Sequence, residues 1–320
     1  MAKHRRRMTD MPSGSTRIVG TRGSRLALAQ TDLVVRSMRD RHPDLQFEVR
    51  VVRTEGDRRT DAPLSRIGGQ GVFVKELEAA LQSGEVDLAV HSLKDVPVEL
   101  APGLTLAAFP RRANPQDALV ARDGATVAML PAGARVGTGS ARRAVQLRRA
   151  RRDLMLVDIR GNVDTRIRKV DDGEVDAVVL AAAGLERLGL LERATEILLP
   201  EVMLSAAGQG ALGIETREHD TDMLERLAAI DHRETRLACQ AERAFLRRLG
   251  GGCRLPFGAL ATVAGELVRA RGFVSDADGE HVFRAEVSGS GEEAESVGVW
   301  LAERLLEDGA ARYVEAAQAG

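Results

Sequence analysis

The stretch "RIVGTRGSRLALAQTDLVVRSMRDRHPDLQFEVRVV", residues 17–52, decides the fold class. It begins with an apolar run around Ile18 and Val19 that is typical of a short strand. After Ser24 the leucines and valines fall at helical spacing until Pro43, which ends a helix. "FEVRVV" then alternates apolar and polar residues, as a strand does. The order strand, helix, strand predicts one unit of a parallel α/β sheet.

The same alternation continues along about two thirds of the chain. "GVFVKELEAALQSG" and "VDLAVHS" add a helix and a buried strand, and a second unit of the same kind follows Pro110. "GQGALGIETR" predicts a strand that returns to the first unit. From about Asp231 the pattern changes to one long helix, a glycine-rich loop, hairpin strands and an amphipathic helix. We therefore expect an α/β protein with two α/β lobes and a smaller α+β C-terminal domain.

The predicted domains have the following bounds. We expect a disordered basic tail at 1–16, the first lobe at 17–110 with 211–230, the second lobe at 115–205 and the third domain at 232–320. The tail lacks the apolar stretch of a secretory signal, and no apolar run is long enough to span a bilayer. Two distant cysteines predict neither a disulfide framework nor a metal site. These features predict a cytoplasmic protein that does not bind a membrane.

The basic residues are unusual in kind. The net charge is only −1, but just four of the 46 lysines and arginines are lysines. Arginine binds carboxylates and phosphates through two parallel hydrogen bonds, which lysine cannot form. Aromatic residues make up only 3% of the chain and none alternates with the arginines, which argues against a nucleic-acid groove.

Polar residues follow nearly every predicted strand of the two lobes. In chain order they are Arg22 and Ser24; Ser92, Lys94 and Asp95; Thr138, Ser140, Arg142 and Arg143; Arg160, Asn162 and Arg166; and Arg187. Ligands of open α/β sheets bind at the carboxyl ends of the strands, where helix N-termini also attract anions. Any single position is more typical of a capped helix with a solvated arginine, because arginine is so abundant in this chain. Together they predict a cleft for a ligand with many carboxylates or phosphates.

Lys94 and Asp95 differ from their surroundings. A lysine at a strand end of an arginine-rich chain indicates that a compact ammonium group is needed there. An ionised Asp95 among cations could stabilise a developing positive charge or move protons. A turn aspartate before Pro97 is an equally good interpretation from physics alone. His91 is more typical of a structural histidine.

Cys253 lies in "LRRLGGGCRLPFG", residues 246–258, behind three glycines and before an arginine. Glycines allow a tight turn, and a nearby cation favours the thiolate. By itself the stretch fits an inert cysteine better, because most lone cysteines are buried and unreactive.

The motifs resemble, in order, those of the porphobilinogen deaminase family. They are "TRGSRLALAQ", "IGGQGVFVKELE", "DLAVHSLKDVP", "GTGSARR", "RGNVDTR", "AAAGLERLG", "GQGALGIE" and "GGCRLPFG". The resemblance runs from about Arg17 to the C-terminus and weakens over the last sixty or so residues. It implies two lobes resembling periplasmic binding proteins and a third domain that carries a cofactor loop. One departure is Gln70, where many members have lysine.

The resemblance also implies a reaction. Members of the family condense four porphobilinogen molecules head to tail into hydroxymethylbilane, release ammonia at each step and serve tetrapyrrole biosynthesis. They use a dipyrromethane cofactor joined to a loop cysteine by a thioether, and Cys253 matches that cysteine. The acetate and propionate groups of the pyrrole rings account for a cleft rich in arginine.

The family's functional residues map onto this chain as follows. Asp95 matches the catalytic carboxylate. The cofactor would be held by Ser92, Lys94, Thr138, Ser140, Arg142 and Arg143. The substrate and growing chain would be held by Arg22, Ser24, Arg160, Asn162, Arg166, Arg187 and Gln209. The resemblance implies no metal and no nucleic acid, and we expect a monomer. Cys239 matches no functional position.

Two other functions remain possible from the sequence. A solute-binding protein would also have two α/β lobes and an arginine-lined cleft, but neither a third domain nor a modified thiol. The ligand-binding domain of a regulator is a third possibility, although no helix-turn-helix segment accompanies it.

Overall fold

The computed structural model describes residues 16–53, 74–251 and 255–319. The strands are β1 Thr16–Thr21, β2 Gln46–Val51, β3 Leu88–Ser92, β4 Leu104–Ala108, β5 Asp117–Ala121, β6 Arg135–Gly137, β7 Met155–Val157, β8 Ala177–Ala181, β9 Glu196–Leu198, β10 Leu212–Arg217, β11 Phe257–Ala264, β12 Leu267–Ser275 and β13 Val282–Ser290. The α-helices are α1 Arg25–Arg41, α2 Lys75–Ser83, α3 Ala141–Ala150, α4 Val163–Asp171, α5 Ala182–Arg187, α6 Thr221–Ala228, α7 Arg233–Arg248, α8 Ala294–Leu305 and α9 Ala311–Ala319.

Two five-stranded sheets share one topology. The first has the order β2-β1-β3-β10-β4 and the second the order β7-β6-β8-β5-β9. In each sheet three neighbouring strands are parallel, and the fourth strand is antiparallel to its neighbours. The fourth strand of the first sheet, β10, comes from beyond the second lobe, as the sequence predicts. Each sheet therefore forms an α/β lobe, and the chain crosses between the lobes twice.

The third sheet is antiparallel, with the order β11-β12-β13. The helices α7 and α8 pack against each other and against this sheet, with Phe245 and Leu301 fully buried in the shared core. The architecture confirms the predicted fold class of two α/β lobes and a smaller α+β domain. The exact domain bounds remain predictions, although Thr16, assigned to the tail, is already the first residue of β1.

Several short elements were not anticipated from the sequence. They are β4, β5, β9, α6 and α9. The second lobe begins with β5 and not with the predicted strand at 134–138. The strands concerned are three to five residues long, and most of their residues are at least partly buried. A short strand of this kind has no clear alternation to mark it in the sequence.

The two crossings between the lobes contact each other directly. Ala113 donates its backbone N–H to the carbonyl oxygen of Gly210 over 3.2 Å. Gly210 has a φ of 84°, and a Cβ there would lie 2.6 Å from the carbonyl oxygen of Ala113. Glycine is therefore required at position 210 for the two backbones to lie this close together. From α7, the buried Glu242 accepts hydrogen bonds from Arg112 and from the backbone of Gly208, so it fastens both crossings to the third domain.

Candidate active site

Asp95 lies in a cavity at the carboxyl end of β3. The cavity has a volume of about 70 Å³. Its polar lining consists of Arg22, Ser24, Gln30, His91, Ser92 and Asp95. Asp95 ends a short 3₁₀ turn, Leu93–Asp95, whose first residue is buried. Within the described part of the chain, no side chain donates a hydrogen bond to its carboxylate, which leaves both oxygens available to a ligand.

The turn that carries Lys94 and Asp95 packs against the second crossing. Leu93 donates its N–H to the carbonyl of Ala211 over 3.1 Å. Gly208 has a φ of 73°, and a Cβ there would lie 3.0 Å from the Leu93 side chain and 3.1 Å from the backbone nitrogen of Lys94. The turn is thus held at the junction of the two lobes.

Three of the predicted binding residues are N-caps. Ser24, Ser140 and Asn162 accept hydrogen bonds from the backbone N–H groups of Ala27, Arg143 and Thr165 and so begin α1, α3 and α4. This confirms Ser140 as the predicted cap. Helix N-termini carry a partial positive charge and free N–H groups, which favour anions.

Arg142 and Arg143 form a buried network with Asp117 of β5. Arg142 Nη1 lies 2.7 Å from Asp117 Oδ2, and Arg143 donates from Nε and Nη2 to Oδ1 over 3.0 and 2.7 Å. Asp117 is completely buried, and the two arginines are only 7% and 6% exposed. Burial alone would raise the pKa of Asp117, but the two guanidinium groups hold that pKa well below its usual range. The network carries one net positive charge.

Lys94 links this network to the first lobe. Burial is the largest effect and lowers the pKa of Lys94 to about 8. Asp95 and Asp117 act in the opposite direction, while Arg142 and Arg143 lower the pKa further. Lys94 is therefore electrostatically coupled to Asp95 and to the buried arginines. An anion bound near this amine would raise its pKa and favour the ammonium form further.

The remaining arginines extend this positive region. Burial lowers the pKa of Arg166 to about 10, and the charges of Arg143 and Arg160 add to this effect. Burial lowers the pKa of Arg187 to about 10 as well. Arg187 donates to the carbonyl of Gly210 over 2.7 Å, so it contacts the second crossing. An anionic ligand would relieve the repulsion of Arg166 by Arg143 and Arg160.

Ser92, Thr138 and Gln209 make local contacts. Ser92 exchanges hydrogen bonds with the amide of Gln30 over 2.9 and 3.1 Å. The Thr138 hydroxyl accepts from the N–H of Ser140 over 3.2 Å. Gln209 donates to Pro115 and Asp117, and its buried Oε1 has no partner within the described residues.

Cys253 and Gln70 lie outside the described residues. The described residues before Cys253 lie close to the segment that follows Asp95. Arg243 of α7 donates to the carbonyls of Pro97 and Val98 over 2.8 and 3.0 Å. A Cβ on Gly251 would lie 3.7 Å from the Val98 side chain. Cys239 is buried in α7, and burial raises the pKa of its thiol to about 12, which makes it inert.

Sequence reasoning missed Asp117, which binds both buried arginines. The available signal was a charged residue at the start of the apolar run "DALVA", because buried charges in proteins are paired. It also missed Gln30, Arg243 and Glu242. Each of these lies inside a helix, where the sequence does not distinguish a buried polar residue from a solvated one.

Family models match most of the chain. "Porphobilinogen deaminase, dipyromethane cofactor binding domain" matches residues 18–225, and "Porphobilinogen deaminase, C-terminal domain" matches residues 236–307. The chain belongs to the porphobilinogen deaminase family. This membership confirms the predicted enzyme class and its place in tetrapyrrole biosynthesis. It decides against the solute-binding and regulator alternatives.

Porphobilinogen deaminases of several bacteria are similar over nearly their whole length. That of Roseiflexus sp. (strain RS-1) is 51% identical over 92% of this chain and 97% of its own. That of Syntrophus aciditrophicus (strain SB) is 50% identical over 91% of this chain and 95% of its own.

Similar solved structures include "Crystal Structure of the Methionine Binding Protein, MetQ". It is 14% identical and covers 67% of this chain and 89% of its own, with a TM-score of 0.41. In the described residues, no helix combines the length and apolar character needed to cross a membrane.

Proposed function

We propose that the cleft between the lobes condenses four porphobilinogen molecules head to tail, with Asp95 as the catalytic carboxylate and a dipyrromethane cofactor joined to Cys253. The observation that carries this proposal is the position of Asp95. Its carboxylate lines a cavity of the first lobe, on a turn that contacts the second crossing, and is electrostatically coupled to Lys94. The surrounding cations suit a substrate that bears acetate and propionate groups. Water then releases the linear hydroxymethylbilane.

The described residues fit the proposed cofactor. A dipyrromethane supplies four carboxylates and a free ring position to which the first substrate is joined. Arg142, Arg143 and Lys94 would bind its carboxylates, with Ser92, Thr138 and Ser140 as further partners. The unpaired Oε1 of Gln209 is an acceptor for which the described residues supply no donor, as expected beside a ligand that carries N–H groups.

Asp95 would act on the charge that develops in the substrate. The substrate is anionic, so a carboxylate among its binding groups weakens ground-state binding. Loss of ammonia from the aminomethyl group leaves a positive charge spread over the pyrrole nitrogen and the methylene carbon of the substrate. Asp95 would stabilise that charge and accept or return protons, which favours the transition state over the bound substrate.

The substrate and growing chain would be held by residues of both lobes. Arg22 and Ser24 lie in the first lobe, beside Asp95. The second lobe would contribute Arg160, Asn162, Arg166 and Arg187, and the crossing would contribute Gln209. Asn162 Oδ1 is engaged as the cap of α4, so its Nδ2 and the helix N-terminus are the groups available to a ligand.

The intact mass of the purified protein tests this proposal. We expect a mass greater than that of the sequence by two pyrrole units. The Cys253→Ala variant should have the bare mass and no activity, because the one other thiol of the chain, Cys239, is buried and inert. The matched control is Cys239→Ala, which removes a buried thiol in α7 and should keep the added mass. A native protein that is active with the bare mass would refute the attachment to Cys253.

A further inference from the structure

Asp117 is the centre of the buried positive cluster in the second lobe. It is completely buried at the start of β5 and accepts three hydrogen bonds from Arg142 and Arg143. A fourth comes from Gln209 Nε2 over 3.0 Å. All four bonds end on one carboxylate, so its position fixes the positions of three side chains that we assign to the cleft.

The orientation of each arginine follows from these bonds. Arg143 also donates Nη1 to the carbonyl of Val179 over 2.9 Å, so all three of its nitrogens are held. Arg142 uses Nη1 for both Asp117 and the carbonyl of Leu204, at 2.7 Å each. Within the described residues, this leaves Nε and Nη2 of Arg142 available to a ligand. The planar guanidinium is therefore held before any ligand binds.

The charge of Asp117 matters as much as its geometry. Two adjacent guanidinium groups in a buried site repel each other, and each loses the water molecules that would hydrate it in solution. Lys94 adds a third cation nearby. A buried carboxylate between the arginines offsets one positive charge and still leaves the cluster positive towards an incoming anion.

We infer that Asp117 is a positioning residue, which holds Arg142 and Arg143 in the orientation that receives the cofactor carboxylates and makes their burial tolerable before the cofactor is attached. This inference rests on the proposed function of the two arginines. Asp117 itself touches neither cofactor nor substrate. Its effect is exerted through the guanidinium groups and, across the lobe junction, on Lys94.

The test compares Asp117→Asn with Asp117→Glu in apo-protein made in cells that cannot make porphobilinogen. Cofactor attachment after addition of porphobilinogen is followed by intact mass. We expect Asp117→Asn to load about tenfold more slowly or worse, the scale of losing a residue that orients a ligand-binding side chain. Asp117→Glu keeps the charge, so it should recover part of the rate. The control is Asp176→Asn, which breaks the Arg135–Asp176 pair in the same lobe and should load normally.

A second measurement separates positioning from a merely structural role. The chain has four lysines, so selective ¹³C or ¹⁵N labelling gives few signals, and Lys94→Arg assigns the one of interest. Removing the negative charge of Asp117 should lower the pKa of Lys94 below the value of about 8 in the wild-type apo-protein. Asp117→Glu and Asp176→Asn should leave it nearly unchanged. General loosening of the fold would expose Lys94 and raise this pKa instead.

The outcomes are distinct. Loading of Asp117→Asn at the wild-type rate overturns the inference, and so does a Lys94 pKa that is unchanged or raised in that variant. If the Asn variant does not fold, the loading rate of Asp117→Glu tests the inference instead. Its displaced carboxylate should slow loading severalfold, and an unchanged rate overturns the inference. A wild-type protein that acquires no added mass refutes the proposed function itself, which is a separate result.

Discussion

Arg25 Nη1 and Asp164 Oδ1 lie 2.6 Å apart and join the first turn of α1 in the first lobe to the first turn of α4 in the second. The proposed substrate residues Ser24 and Asn162 are the N-caps of these two helices. Next to this pair, Leu26 and Val163 both approach Gly184 of α5. Within the described residues, the first turns of these helices therefore join the lobes through this ion pair and a small apolar contact.

This ion pair should favour the closed arrangement of the lobes only slightly. Arg25 and Asp164 side chains are 60% and 30% exposed, and such pairs contribute about 1 kcal/mol or less. Arg25→Ala should shift the balance of closed and open lobes by about fivefold at most. Single-molecule energy transfer between dyes at positions 40 and 148 would measure this shift. The swapped pair Arg25→Asp with Asp164→Arg should restore closure, and a shift that is insensitive to salt would contradict the electrostatic explanation.

The arginines of the cleft should separate into two groups by cofactor content. Arg142→Leu or Arg143→Leu should leave mostly apo-protein, because Asp117 loses a buried partner and the cofactor loses a donor. Arg166→Leu should load cofactor but elongate poorly, because Arg166 is partly exposed and its Nε contacts only the carbonyl of Gly161 within the described residues. Intact mass and turnover check both. Equal occupancy in the Arg142 and Arg166 variants would refute the division.

Asp95→Asn should separate binding from turnover. The change keeps the shape of the side chain and removes its charge. We expect cofactor content and substrate binding to be retained, while turnover falls by roughly two powers of ten or more, the scale of losing one well-placed electrostatic or acid–base group.

Asp95→Glu provides the comparison for this prediction. It keeps the charge but displaces it, so it should lose less activity than Asp95→Asn. Turnover of the Asn variant within a few-fold of the wild type would remove Asp95 from the mechanism and leave it as a turn residue before Pro97.

Cofactor loading should depend on the protonation of Lys94. Its pKa is lowered to about 8 by burial and the neighbouring arginines, so the ammonium form prevails below that pH and the neutral amine above it. Only the ammonium form attracts a carboxylate. Loading of apo-protein should therefore slow as the pH rises through about 8, and the cofactor carboxylates should raise the pKa of Lys94 once bound.

Lysine-selective NMR of apo- and holo-protein measures the rise in the pKa of Lys94 that the bound cofactor should cause. Lys169 is the matched control, because it is paired with Glu174 at the surface of the second lobe and its signal should be the same in both forms. An identical Lys94 pKa with and without cofactor would show that this amine does not meet a cofactor carboxylate.

The sequence by itself determined the order of elements and the kinds of side chain at the strand ends. Residues 17–52 specify strand, helix and strand through local periodicity, and the structure has β1, α1 and β2 there. Asp95, Lys94 and the arginines could be located because each follows a strand that the pattern marks. The caps Ser24, Ser140 and Asn162 depend only on residues three positions away, so the sequence can specify them as well.

Tertiary structure alone decided which of these residues meet. Asp117 is 25 residues from Arg142 and 92 from Gln209, and the sheet order β6-β8-β5 together with the path of the second crossing brings them together. Arg25 and Asp164 are 139 residues apart. Contacts of this kind depend on how sheets and crossings pack, which local periodicity does not encode. Burial then sets the charge of each group, because the pKa of Lys94 depends on desolvation and on four neighbours from two lobes.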